Sequence, residues 1–397
     1  MKTKPPSPFD RAYHGQRIQQ GRALIEQLGL EAILGFSAPR GLAAGTRTSG
    51  NLGWFAGFSP IWAPSLLVLT AGRATIVAPG KNEARLFSTR VGTAFEVIGA
   101  GPDGIMATAL ELLSGYQRVG TAGADELPPR FVTQLAATLP QAVAVDAELQ
   151  ALRLTRAPIE IDLHRRASAI SDAMIERAFA YAAEPGATPA GLMAEVEHEG
   201  RRHGADISRL WLSTGPRPPV TYFEMFELPE TLDPGDRVQL GTMVSYEGYF
   251  AQGLRIGSMG PARAALKDVV ARIEAIQDDA LALMRPGRPV HELGDLIESR
   301  IDAICPYSRQ SDPFRFQSCH GLGLDYSEPG LAVALSPQRD RSLDAHGPVF
   351  QPGMVFEIHP NFSLPELGHV CAGDVALVTE TGAEWLTRFP RGVYPII

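Results

Sequence analysis

The chain has 397 residues, 45% of them hydrophobic and 20% charged, and a formal net charge of -8. This is enough apolar material for two or three domain cores, and it excludes a disordered polymer. The acidic balance excludes a dedicated nucleic-acid binder, which needs a basic face to neutralise phosphates. No run of about 18 apolar residues is present to span a bilayer, and Met1-Lys2-Thr3-Lys4 has no apolar stretch behind it, so no secretory leader is predicted. Cys305, Cys319 and Cys371 are too scattered for a disulfide framework, which predicts reduced thiols and a cytoplasmic protein.

In chain order, Ile18, Leu24, Ile25 and Leu28 recur at helical spacing between residues 10 and 33. Ala32–Phe36 reads as a buried strand, and Ser65–Thr70, Gly72 and Ala74–Ala78 read as a hairpin. Together these predict an α/β domain over residues 10–150. Leu152–Glu160 opens a second domain, predicted over 155–397, where Pro158 suits the first turn of a helix. Ile161, Leu163, Ala167, Ile170, Met174 and Ala178 then fall on or near one face. Pro185-Gly186 stops that helix and Thr188-Pro189 starts another. After Asp233-Pro234-Gly235-Asp236, strands alternate with loops; helices are predicted over 262–284 and 290–304, and strands return from 353.

Four segments carry the chemistry: Gly248-Tyr249-Phe250-Ala251-Gln252-Gly253-Leu254-Arg255, Ser318-Cys319-His320-Gly321-Leu322-Gly323-Leu324-Asp325, Gln351-Pro352-Gly353-Met354-Val355-Phe356-Glu357-Ile358-His359-Pro360, and Ala372-Gly373-Asp374-Val375-Ala376-Leu377-Val378-Thr379-Glu380. On a strand, positions i and i+2 share a face, so Glu357 and His359 point the same way. Hard divalent cations need carboxylates, and a glycine or a neutral amide does not supply them.

These segments and their spacing resemble the creatinase / aminopeptidase P / prolidase family of pita-bread enzymes over nearly the whole chain. The resemblance implies an N-terminal creatinase-type α/β domain, an α+β pita-bread domain and a homodimer in which one subunit's N-terminal domain helps close the other's pocket. It also implies five metal ligands, two Asp, one His and two Glu. The matching positions here read Gly241, Gln252, His320, His359 and Gly373, so only the histidine is kept. The second family histidine, seven residues after the first, is Ser327. The histidine that the family places about eleven residues before the Gly-Asp strand is Glu224, and no histidine lies between His203 and His291. The segment from Gly57 to Gly72 holds no arginine, unlike the creatine-binding counterpart in creatinase, which makes creatine an unsuitable substrate.

The expected function is a metal-independent, creatinase-like hydrolase of a small non-peptide C–N bond, with His320, Glu357 and His359 as acid–base residues. Gln252, Arg255, Tyr249, Asp374 and Glu224 are the candidate substrate-contacting residues, and Asp374 is also read as a support for neighbouring backbone or a histidine. Three alternatives stay open: a mononuclear iron or zinc enzyme built on His320, Glu357 and His359; an Xaa-Pro peptidase-like protein; and a catalytically inactive binding protein. No cofactor is expected, and the expected partner is a small-molecule substrate rather than nucleic acid or membrane. Trp54, Trp62, Tyr222, Phe223 and Phe226 are candidate pocket or interface aromatics.

Overall fold

Continuous apolar runs such as Leu66–Leu69 leave no polar face, and strands of that kind belong inside a sheet covered on both sides. The computed structural model describes residues 7–41, 47–218 and 228–397. It contains two units, Met1–Leu154 with Gly323–Gly330, and Thr155–Leu322 with Leu331–Ile397.

The first unit runs α1 (Arg11–Gln27), β1 (Ala32–Ser37), α2 (Ser49–Ala56), β2 (Ser65–Thr70), β3 (Ala74–Ala78), α3 (Lys81–Val91), β4 (Glu96–Gly99), α4 (Ile105–Leu112), β5 (Val119–Ala122), α5 (Pro129–Thr138), β6 (Val143–Ala144) and α6 (Asp146–Arg153). Its strands form one sheet in the order β4-β3-β2-β1-β5-β6. The predicted hairpin is the antiparallel β2–β3 pair, while β1 pairs antiparallel with β2 and parallel with β5. Trp54 lies in this unit's core, whereas Trp62 is 69% exposed. The sequence boundary puts Gly323–Gly330 in the second domain, but a buried ion cluster ties it to the first unit. Arg153 pairs there with Asp325 and with Glu328 (2.9 Å) and donates to Asn51 Oδ1 (3.0 Å). Gly50 makes room for it, since a Cβ at that position would lie 2.1 Å from Arg153 Nη2.

The second unit runs α7 (Pro158–Ala182), α8 (Pro189–Arg202), β7 (Ile207–Gly215), β8 (Arg237–Tyr246), β9 (Tyr249–Met259), α9 (Ala264–Leu283), α10 (His291–Asp302), β10 (Cys319–Gly321), β11 (Val355–Ile358), β12 (Asn361–Leu364), β13 (Gly368–Cys371), β14 (Asp374–Val378), β15 (Ala383–Trp385) and β16 (Val393–Ile396). Three sheets result, β16-β9-β8-β7, β10-β11-β14-β15 and β12-β13. Helix α7 starts as predicted at Pro158, and the Glu160 carboxylate accepts from the Ala157 N–H at 2.6 Å. Thr188 caps α8 by accepting from the Gly191 N–H at 3.0 Å.

A two-residue turn, Glu247-Gly248, fixes the β8–β9 register; both residues have positive φ, 49° and 91°. That register sets Gly241 opposite Leu254 and Met243 opposite Gln252. Side chains alternate along β9. A Cβ on Gly253 would meet Ser171 and Ile175 of α7, and one on Gly257 would meet Phe179. Odd-numbered positions of β9 therefore face α7, and Gln252 and Leu254 face the other way. Among the described residues no helix is long and apolar enough to cross a membrane.

Candidate active site

The short strand β10 and the strand β11 pair antiparallel and place His320 directly opposite Glu357. His359 follows Glu357 by two residues, and its ring centroid lies 5.2 Å from that of His320. All three are buried, at 5%, 0% and 2% exposure for His320, Glu357 and His359. The sheet holding them is joined to β9 by a bridge between Leu254 and Gly373, with N–H to carbonyl distances of 3.0 and 3.2 Å. The outward face of β9 is thus brought against Glu357 and His359.

The resemblance predicts carboxylates at Gly373 and Gly241, and the surroundings of both have closed in. A Cβ on Gly373 would lie 2.7 Å from Glu357 Oε1, from His359 Cβ and from Leu254 Cδ1. A Cβ on Gly241 would lie 3.2 Å from Leu254 Cγ and 3.4 Å from Trp211. One position is taken by the Glu357 carboxyl and the other by apolar side chains, so these residues do not fit a dinuclear metal centre. Gly373→Ala is accordingly expected to destabilise the protein by about 1–3 kcal/mol through overpacking, measurable by urea denaturation. An unchanged midpoint would mean that the three crowding atoms move aside freely.

The mononuclear alternative also lacks convergence. Among the described residues, the three-residue ligand set within 4.8 Å is His291, Asp295 and Asp344, not His320, Glu357 and His359. That trio is an ion-pair cluster, since Arg339 binds Asp295 at 2.6 Å and Asp344 at 2.7 Å.

Burial governs the charge states. Desolvation holds the Glu357 carboxyl well above the usual carboxylate range; Asp374 adds to the rise and Arg255 opposes it. Neither Glu357 oxygen, nor His359 Nδ1, has a hydrogen-bond partner among the described residues. Burial lowers His320 to about 4, and it drives His359 well below the ordinary imidazole value, with the neighbouring His320 contributing. Burial therefore favours a protonated carboxyl beside two neutral imidazoles.

His164 and His369 are likewise lowered to about 3, chiefly by burial. An imidazole depressed in the folded state binds fewer protons than the unfolded chain, so its stability contribution is full above pH 6.5. It is lost as pH falls from 6.5 toward 4 and 3. Each histidine contributes a slope of up to about 1.4 kcal/mol per pH unit. We expect cooperative acid unfolding to begin between pH 6 and 4, read by circular dichroism; a flat unfolding free energy across that window would contradict the assigned neutral states.

The remaining predicted residues divide by strand parity. Gln252 is buried on the face shared with Gly241. Tyr249 lies on the α7 face, where its hydroxyl donates to Glu160 Oε1 at 2.5 Å. Arg255 has its donors taken by Asp374 (2.6 Å) and by the carbonyls of Gly373, Phe389 and Pro390. Asp374 in turn accepts from Thr387, Gln277 and Arg391 at 2.7, 3.2 and 3.1 Å. Tyr249, Arg255 and Asp374 are thus engaged in bonds within the fold. Glu224, Tyr222, Phe223 and Phe226 lie outside the described residues. Sequence reasoning passed over Arg237, Gln239 and His369. For Arg237 and Gln239 the signal was the alternation Arg237-Val238-Gln239-Leu240, two polar side chains at i and i+2 in a largely apolar strand.

Comparison with known proteins agrees with this architecture. The model for metallopeptidase family M24 matches residues 162–380. An uncharacterized peptidase of Bacillus subtilis, YqhT, is 25% identical over 94% of this chain and 98% of its own length. The Xaa-Pro dipeptidase of Pyrococcus furiosus is 25% identical over 62% of this chain and 67% of its own. Among solved structures, the prolidase from Pyrococcus horikoshii superposes with a TM-score of 0.77 at 20% identity, covering 95% of this chain and 99% of that one.

Proposed function

Because this chain belongs to metallopeptidase family M24, we propose that it is a hydrolase whose dinuclear centre has been replaced by a neutral acid–base site. It cleaves a C–N bond in a small amide, cyclic amide or amidine without metal. The observation carrying this reading is the fate of Gly373: where the resemblance calls for a bridging carboxylate, the Glu357 carboxyl fills the space from the neighbouring strand. A protonated Glu357 is suited to donate its proton to the departing nitrogen, and a neutral His359 to take a proton from the attacking water. The proton gained by one group balances the proton lost by the other. His320, its ring tilted against that of His359, disfavours a lasting positive charge on His359 and so returns the site to its starting state.

A second reading, an Xaa-Pro peptidase, is favoured by the names of the Pyrococcus relatives. The two readings part on metal. Elemental analysis of protein purified without added metal is expected to find no stoichiometric ion. Activity on a panel of amides, cyclic amides and amidines should then survive chelation and be lost in His359→Ala. Two tightly held metal ions per chain, with Xaa-Pro cleavage abolished by chelator and restored by manganese or cobalt, would establish the peptidase instead.

A further inference from the structure

Arg237 opens strand β8 at 3% exposure. Its Nη2 donates to the His369 carbonyl at 2.5 Å, while Nε and Nη1 have no partner among the described residues. Four other buried arginine side chains are matched by acids: Arg153 by Asp325 and Glu328, Arg255 by Asp374, Arg315 by Glu298, and Arg339 by Asp295 and Asp344. Burial lowers the Arg237 pKa to about 9, and the charge acting on it is a second cation, Arg263. A desolvated guanidinium without a counter-charge is costly to keep.

Its position gives that cost a use. Arg237, Gln239 and Gly241 alternate on one face of β8, the face that meets Leu254 and, through it, Gly373. Gln239 Oε1 accepts from the Cys371 N–H at 3.1 Å, and its Nε2 donates to His369 Nδ1 at 3.2 Å. The other His369 nitrogen lies 3.4 Å from Asn361 Oδ1, and Asn361 Nδ2 donates to the His359 carbonyl at 3.2 Å. A continuous polar rail therefore leads from the unmatched guanidinium to the acid–base site.

We propose that Arg237 receives a carboxylate of the substrate, so that the enzyme acts on an elongated acidic amide whose C–N bond lies at Glu357 and His359. The position of that bond rests on the function proposed above. A single buried positive charge matches one carboxylate, whereas a phosphate dianion would leave a buried excess. Arg237 and Gly241 lie four strand residues apart, a span of roughly 13 Å, which calls for a substrate longer than one amino acid.

The test is calorimetric titration of the full chain with N-acetyl-glycyl-glycine and with its C-terminal carboxamide, which differ by one charge. We expect the acid to bind about tenfold to a hundredfold more tightly, the range for a hydrogen bond to a charged group. Arg237→Gln should erase that preference and Arg237→Lys should keep part of it. The wild-type acid-against-amide comparison stands without any variant. Equal binding, binding of neither, or a preference unchanged in Arg237→Gln would overturn the proposal. Repeating the titration on Glu357→Gln separates the two claims: a preference that persists there, or in protein found to hold metal, keeps the role of Arg237 even where the proposed chemistry fails.

Discussion

Replacing Glu357 by glutamine is expected to lower kcat by about 10²–10⁴-fold with KM nearly unchanged, the usual effect of removing a positioned acid or base. The amide fills the same volume beside Gly373 and carries no ionisable proton, so the site should stay packed. The pH dependence of stability supplies the control. A carboxyl raised above its unfolded value of 4.5 keeps in the folded state a proton that the unfolded chain releases, so its penalty grows as pH climbs above 4.5. Glu357→Gln removes that penalty, and the variant should equal or exceed the wild type in stability at pH 7 and above. Full activity in a folded Glu357→Gln protein would remove Glu357 from the chemistry. Lost activity with lost stability would assign it to the core.

Asp374→Ala should have the largest effect on stability, a loss of about 3–5 kcal/mol in denaturant unfolding, the cost of breaking a buried ion pair from one side. Asp374 is buried and binds Arg255 at 2.6 Å and Arg391 at 3.1 Å. Removing it strands the Arg255 guanidinium inside the fold, where the carbonyls of Gly373, Phe389 and Pro390 supply partial negative charge only. Asp374→Asn should recover part of the loss by keeping hydrogen-bond acceptors without the charge. A change below about 1 kcal/mol, the scale of an exposed pair, would mean that Arg255 and Arg391 reach solvent when their partner is gone.

Much of this was legible in the chain itself. Pro158, Thr188 and the glycine-bounded apolar runs predict α7, α8 and the β2–β3 hairpin because caps, turns and alternation are local properties, written in adjacent residues. That Gly241, Gln252 and Gly373 carry no carboxylate is also a property of the residues themselves. The i, i+2 spacing of Glu357 and His359 likewise predicts a shared face.

Tertiary structure decided what fills the vacated places and which polar groups are left over. Strand pairing across long sequence distances brings Glu357 and Leu254 against Gly373, and Leu254 with Trp211 against Gly241. Arg255 and Arg237 look alike in sequence, each a cation in an apolar strand. One meets Asp374 from a strand more than a hundred residues away, and the other meets a carbonyl and, among the described residues, no acid. The worth of a buried charge is set by its partner, and partners separated by that much chain are chosen by register and packing, which local residue patterns do not encode.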